Sequence, residues 1–337
     1  MGKRFGPGSP DSAALHDFAD LTPDAILDGL DALGVRGDGR LLALNSYENR
    51  VYLVYGEDGP DRVVKFYRRG RWRDEQIAEE HTFVAELAAA ELPVVAPLSL
   101  HGRTLHDVAG CRLAVYPRAG GRAPDLDQPD VLEWLGRFMG RIHAIGAVRP
   151  FATRPRLDVD TYAVEPRQFL LEHDVIPNEL RAAWVAVVDQ CIDGIRASFD
   201  RAGDVRWLRV HGDCHMGNVL WTDDGPHFVD FDDARMAPAV QDLWMLLSGS
   251  RADMTGQMSD VLEGYEMFAE FDRRELHLVE AMRTLRLIHY SAWIARRWHD
   301  PAFPAAFPWF ASSRYWEERI LELREQLGAM SEPALVI

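Results

Sequence analysis

His211-Gly212-Asp213-Cys214-His215-Met216-Gly217-Asn218, followed by Asp230-Phe231-Asp232, is the stretch whose reading decides the fold. Asp213 and Asn218 stand five residues apart. Between Asn218 and Asp230 lies a hairpin pattern, in which Asn218–Trp221 and His227–Phe231 flank the turn residues Thr222-Asp223-Asp224-Gly225-Pro226. A loop carrying a carboxylate and a carboxamide, with a second carboxylate returned by the hairpin, supplies the hard oxygen donors that Mg²⁺ takes alongside water and phosphate oxygens. Phosphoryl transfer asks a protein mainly for such parts: a base at the acceptor hydroxyl, oxygen ligands for the metal, and a lysine on the phosphates. On this reading Asp213 accepts the hydroxyl proton, Asn218 and Asp230 hold Mg²⁺, and ATP is the co-substrate.

Other readings of the same residues are weaker. A polar turn capped by Asp213 and a solvated acidic loop at Asp230–Asp233 would need the spacing to be accidental. His211, Cys214 and His215 lack the fourth ligand and the separated pairs of a structural zinc site, and a Cys214–His215 nucleophile has no further support. His211 is expected to hydrogen-bond within the loop and orient its backbone. Asp232 and Asp233 read as structural hydrogen-bonding residues rather than metal ligands.

Toward the N-terminus, Thr22-Pro23-Asp24 opens a helix that runs through Ile26, Leu27, Leu30 and Leu33 and ends at Gly34. Arg50–Tyr55 and Arg62–Tyr67 read as two strands joined through Gly56-Glu57-Asp58-Gly59. Asp74–Ala90 is helical, with Ile77, Phe83, Val84 and Leu87 on one side. Short strands are expected near Val94–Leu98 and Cys111–Tyr116. Lys65 sits on the return strand with apolar neighbours that would bury its stem, which makes it the candidate phosphate lysine. Glu80 shares the apolar side of the following helix, and a carboxylate there needs a partner, so it is expected to pair with Lys65. Leu44–Arg50 lies where a glycine-rich phosphate loop would be but contains no glycine; Ser46 and neighbouring N–H groups could still cap phosphate oxygens. Arg68, Arg69, Arg71 and Arg73 read as a solvated face.

After the Gly/Arg/Pro-rich stretch Pro117–Pro124 the pattern turns helical, over Asp130–Ile145, Pro177–Arg201, Ser259–Phe268 and Arg274–Trp298. The whole is an α+β, bilobal layout: a loosely ordered N-terminus over residues 1–20, a strand-rich N-lobe over 21–117 with the ATP-binding sheet and helix, and a mostly helical C-lobe over 118–337 with the catalytic loop and metal site. A net charge of -16 without a basic tract argues against nucleic acid or an anionic membrane as partner. Three scattered cysteines, no signal-peptide pattern and no bilayer-length apolar run suit a reducing cytoplasm.

The lobe plan, His211-Gly212-Asp213-x-His215-x-x-Asn218 and Asp230-Phe231-Asp232 resemble the aminoglycoside phosphotransferase and choline kinase group within the protein-kinase-like fold. Longer matches resemble a bacterial stress-response kinase family inside that group. They are Leu44–Tyr52, Val64–Tyr67, Glu79–His81, Asp232–Ala234, Pro238–Leu247, Arg296–Trp298 and Asp300–Pro304. That resemblance implies a monomeric cytoplasmic kinase acting on Ser/Thr of a protein, itself included, in envelope-stress and cell-survival responses. By motif position it implies Asp213 as proton acceptor, Asn218 and Asp230 on Mg²⁺, Ser46 at ATP, and Asp242 bracing the catalytic loop. The fold leaves open a small-molecule kinase for an amino alcohol or aminoglycoside, and an inactive nucleotide-binding scaffold.

Overall fold

The computed structural model describes Phe18 and residues 20–337; most of the segment expected to be loosely ordered lies outside the described residues. Helix α1 (Pro23–Ala32) starts where the sequence requires. The Thr22 hydroxyl accepts from the N–H of Ala25 at 3.2 Å, and Pro23 occupies the first turn. Gly34 follows at φ +79°, a left-handed stop.

Strands β1 (Gly37–Ala43), β2 (Arg50–Gly56), β3 (Arg62–Phe66), β4 (His106–Val108) and β5 (Cys111–Pro117) form one antiparallel sheet in the order β1-β2-β3-β5-β4, with helix α2 (Asp74–Ala89) between β3 and β4 in sequence. Alternation along central β3 gives each face its task. Val64 and Phe66 join Ile26, Leu30, Val108, Leu113 and Val115 in the core under α1. Lys65, between Val51 and Ala114 in register, faces the other way. The expected strand at Val94–Leu98 is absent. Pro93 and Pro97 remove ladder donors there, and the segment makes isolated bonds instead, Val95 N–H to Phe228 C=O and Leu98 N–H to Val115 C=O. The fourth strand is His106–Val108.

The remainder is mainly helical: α3 (Pro129–Gly146), α4 (Glu165–Glu172, preceded by a π turn), α5 (Asn178–Ala202), α6 (Val240–Leu243), α7 (Arg251–Tyr265), α8 (Val279–Arg296), α9 (Ala302–Ala306) and α10 (Ser313–Ser331). Helix α7 begins eight residues before the expected Ser259, through a Ser250/Asp253 capping box. The expected helix Arg274–Trp298 starts later, because Arg273–Leu278 forms a separate 3₁₀ segment ahead of α8. Helices α3 and α7 approach closely because Gly136 has no Cβ; one built there would stand 1.9 Å from the Val261 carbonyl oxygen. Two small ribbons interrupt the helices. Strand β6 (Leu208–Val210) pairs with β9 (Arg235–Ala237), and β7 (Val219–Thr222) with β8 (Gly225–Phe228). The second is the expected hairpin, with a tighter turn in which only Asp223 and Asp224 bridge the paired Thr222 and Gly225. The large core runs through these helices and takes in Phe83, Val84 and Leu87 of α2, so that helix packs on both parts of the molecule. Among the described residues no helix is long and apolar enough to cross a membrane.

Candidate active site

The loop from His211 to Asn218 leaves the C-terminal end of β6 and is pinned from beneath. The Asp242 carboxylate, at the start of α6 and 0% exposed, accepts from the N–H of Gly212 through Oδ1 and of His211 through Oδ2, both at 2.8 Å. His143 of α3 donates to the same Oδ2 from Nε2 at 2.9 Å, while its Nδ1 accepts from the Tyr265 hydroxyl at 3.0 Å. Burial alone would raise the Asp242 pKa. The His143 hydrogen bond, nearby ring charge and the Gly212 N–H reverse this and hold it below the ordinary carboxylate value. The His211 ring is spent inside the loop as expected: Nε2 donates to the Val229 carbonyl at 2.9 Å and Nδ1 accepts the Asp213 N–H at 3.3 Å. Cys214 is buried with Sγ 3.7 Å from the Met139 sulfur. Gly212 is at φ +85°, and a Cβ there would stand 2.2 Å from the Asp233 carbonyl oxygen, so the loop can pass the Asp230 segment only with glycine.

Asp213 and Asn218 close the loop on itself, the Asn218 amide donating from Nδ2 to the Asp213 carbonyl at 2.9 Å. That fixes the carboxamide and leaves Oδ1 as its acceptor end. Asp230 follows β8 in a left-handed conformation, φ 60° and ψ 62°, which a non-glycine residue adopts at a cost of about 1–3 kcal/mol. Its half-exposed carboxylate accepts from Lys65 Nζ at 2.7 Å, so the lysine of the sheet and the acid of the hairpin meet in one cleft. Among the described residues no three His, Cys, Asp or Glu stand close enough to form a metal cluster. Asp230 and the Oδ1 of Asn218 are hard oxygen donors of the kind Mg²⁺ takes, and an ion that arrives with a nucleotide needs only one or two protein oxygens.

Lys65 is 6% exposed. Its burial opposes the charge, but Asp230, Asp232 and Glu80 outweigh burial and hold its pKa well above that of an ordinary lysine. Asp232 Oδ1 lies 3.4 Å from the ammonium and is buried with no hydrogen-bond partner. Glu80 departs from expectation: its ion pair is with Arg154, at 3.6 Å, and not with Lys65. Asp230 and Asp232 have taken the lysine, and the Arg154 guanidinium pairs with Glu80 in its place; Arg154 also reaches the carbonyls of Gln76, Ala234 and Asp232. Burial pushes the Glu80 carboxyl up to about 7.

The phosphotransferase enzyme family matches residues 40–279, which take in most of the sheet and the loop from His211 to Asn218. The chain belongs to that family. Over 318 residues it is 46% identical to stress response kinase A of Escherichia coli (strain K12), covering 94% of this chain and 96% of the relative. It is 45% identical over the same span to a serine/threonine protein kinase of Salmonella typhimurium (strain LT2). Solved structures share the fold at lower identity. An amicoumacin kinase in complex with AMP-PNP and Ca²⁺ aligns at TM-score 0.70 and 19% identity, covering 90% of this chain and 92% of its own. A microcompartment-associated aminopropanol kinase aligns at TM-score 0.70 and 18% identity, over 90% and 98%. The chain is a kinase of the phosphotransferase family with the protein-kinase-like α+β fold.

In this family member the loop that replaces a glycine-rich turn is tied to the helical side of the cleft. Ser46 donates its hydroxyl to the Asn49 carbonyl at 3.2 Å, shaping the turn. The Glu48 carboxylate accepts from Trp293 Nε1 at 2.6 Å and from Arg297 at 2.7 Å. Asn49 bridges Asp232 and the Arg68 N–H, at 3.2 and 3.1 Å. Arg68 and Arg71 are therefore not the solvated face the sequence suggested. Arg68 is buried and pairs with Asp300 at 2.7 Å, and Arg71 pairs with Asp232 and Asp233. Sequence reading also missed Arg286 of α8, whose Nη1 is bonded to Asp213 Oδ1. One arginine among many on a helix face carries no local signal of the carboxylate it will meet.

Proposed function

We propose that this kinase transfers the γ-phosphate of Mg-ATP to a Ser or Thr hydroxyl of a protein, as a cytoplasmic monomer serving a stress response. The observation that carries the reading is the meeting, in one cleft, of Lys65 and Asp230 at 2.7 Å beside the loop that holds Asp213 and Asn218. The protein acceptor is supported by the near full-length similarity to relatives named as stress response and serine/threonine kinases. Nucleotide use is supported by the fold shared with a kinase solved with AMP-PNP.

The step forms a bond from the acceptor oxygen to Pγ, breaks the bond from Pγ to the β–γ bridging oxygen, releases ADP and gives the hydroxyl proton to Asp213. Mg²⁺, when bound at Asn218 and Asp230, neutralises charge on the phosphate oxygens. Lys65 exchanges one carboxylate partner, Asp230, for phosphate oxygens, and Asp232 keeps its ammonium aimed at the cleft. Glu80, itself paired with Arg154, supports that lysine from behind through charge, and Ser46 and its neighbouring N–H groups cover the nucleotide phosphates. Asp213 needs no proton relay, because its carboxylate lies at the cleft surface, 22% exposed, where an acceptor hydroxyl can reach it directly. The N-lobe is assigned to residues 21–117 and the C-lobe to 118–337.

The test is incubation of the purified chain with Mg²⁺ and γ-labelled ATP, with and without protein acceptors. Label on Ser or Thr of the chain or of an added protein is the expected result. Label confined to a small amine-bearing alcohol overturns the protein-kinase reading.

A further inference from the structure

The acceptor side of the cleft is walled by one face of α8. Arg286, His289, Tyr290, Trp293 and Arg297 follow at helical spacing from Asp213 at one end to Glu48 at the other. Both oxygens of Asp213 meet nitrogen: Oδ1 is bonded to Arg286, and Oδ2 lies 3.5 Å from His215 Nε2. The Arg286 side chain is 42% exposed, so it can swing aside on its flexible stem.

An ammonium-bearing acceptor is held by carboxylates and aromatic faces. Here those devices are already taken by the chain's own cations. Asp230 is paired with Lys65 at 2.7 Å, and Asp233 with Arg71 and Arg235 at 2.8 and 2.7 Å. Glu48 is paired with Arg297 at 2.7 Å. Two aromatic faces are covered too. The Arg297 guanidinium stands 5.3 Å over the Trp293 ring and that of Arg235 stands 5.0 Å over Tyr162. His289, stacked on Tyr162 at 4.1 Å, is kept uncharged by burial, which presses its pKa down to about 3.

We infer that Arg286 is the acceptor-selecting residue: it admits a hydroxyl flanked by an anionic group and turns away ammonium-bearing alcohols. A hydroxyl reaching Asp213 Oδ1 displaces the guanidinium, which then needs a new anion. An acidic side chain beside the acceptor Ser or Thr supplies one, whereas a Lys or an alkylammonium meets like charge. This inference rests on the protein-hydroxyl reading above and names the class of sequence that site takes.

The experiment compares kcat/KM for two Ser peptides differing only in Glu or Lys beside the serine, with aminopropanol and ethanolamine as small acceptors. Wild type, Arg286→Lys, Arg286→Gln and Arg286→Glu are assayed, each with a thermal melt to show that it is folded. Wild type and Arg286→Lys are expected to favour the Glu peptide by about tenfold, the scale of one partly exposed charge pair against a like-charge contact. Arg286→Gln should flatten that ratio, and Arg286→Glu should invert it and raise use of the amino alcohols. A Glu-to-Lys ratio unchanged across the four proteins overturns the selecting role while leaving the protein-kinase reading intact. Wild-type activity on the amino alcohols and none on either peptide overturns both.

Discussion

Replacing Asp242 with asparagine tests whether charge, and not shape alone, holds the loop that carries Asp213. The carboxylate is fully buried and accepts three hydrogen bonds, from His211 N–H, Gly212 N–H and His143 Nε2, at 2.8, 2.8 and 2.9 Å. Bonds to a charged acceptor contribute about 1.5–3 kcal/mol each. Asparagine fits the same space but keeps one acceptor oxygen and turns an NH₂ toward one of the two backbone donors. At least one bond is lost and one donor is left buried without a partner, so the expected loss of stability is about 3 kcal/mol. The assay is urea unfolding, read as a fall in midpoint at unchanged slope, alongside initial rates of ADP formation. Because the two backbone donors flank the peptide leading to Asp213, turnover should fall by about 10²-fold, the cost of an ångström of misplacement. The folded-state pKa of Asp242 lies below its ordinary value of 3.8. Its contribution is thus present above that value and lost as pH falls through the lower, folded one, so wild type and variant should converge in strong acid. A variant within about 0.5 kcal/mol of wild type, with unchanged turnover, refutes this account of the loop.

Asp213→Asn should abolish phosphoryl transfer while nucleotide affinity, measured by calorimetry, stays within a few-fold; turnover near wild type removes Asp213 as the base. Gly212→Ala should destabilise the fold by about 1–3 kcal/mol and cripple turnover, because the left-handed φ of +85° and the carbonyl of Asp233 at 2.2 Å leave no room for a methyl; a normal melting temperature contradicts this. Glu275, whose Oε2 accepts the Val240 N–H at 2.8 Å, is pushed up to about 8 by burial, from 4.5. The folded state holds that proton more tightly than the unfolded chain, so the contribution is complete below pH 4.5 and is lost as pH rises toward about 8. Glu275→Gln should flatten the stability profile across that window, and an unaltered slope in urea titrations counts against it.

Local pattern was enough wherever a feature is built from neighbours in the chain. The Thr22 cap, the β2–β3 hairpin, the buried side of α2 and the hairpin between Asn218 and Asp230 all rest on periodicity and turn chemistry over a few residues. Strand β1 escaped because Gly37 and Gly39 break its pattern and most of its residues are exposed, so nothing alternates; only pairing with β2 makes it a strand. Val94–Leu98 misled in the opposite sense, an apolar run whose flanking and internal prolines leave it without a ladder.

The sequence by itself determined which side chains are the candidates for the chemistry, since Asp213 and Asn218 share a loop and Asp230 ends a hairpin of few residues. It also determined that Glu80 would be buried and in need of a cation. Which cation was decided by the tertiary structure: Lys65 went to Asp230 and Asp232, and Arg154 came to Glu80. The same holds for Arg286 on Asp213 and for Glu48 between Arg297 and Trp293. Helix and strand periodicity fixes the face on which a charge lies, but Coulomb attraction acts between any charges that folding brings near. With 37 Lys and Arg set against 53 Asp and Glu, only the packed chain selects the pairs.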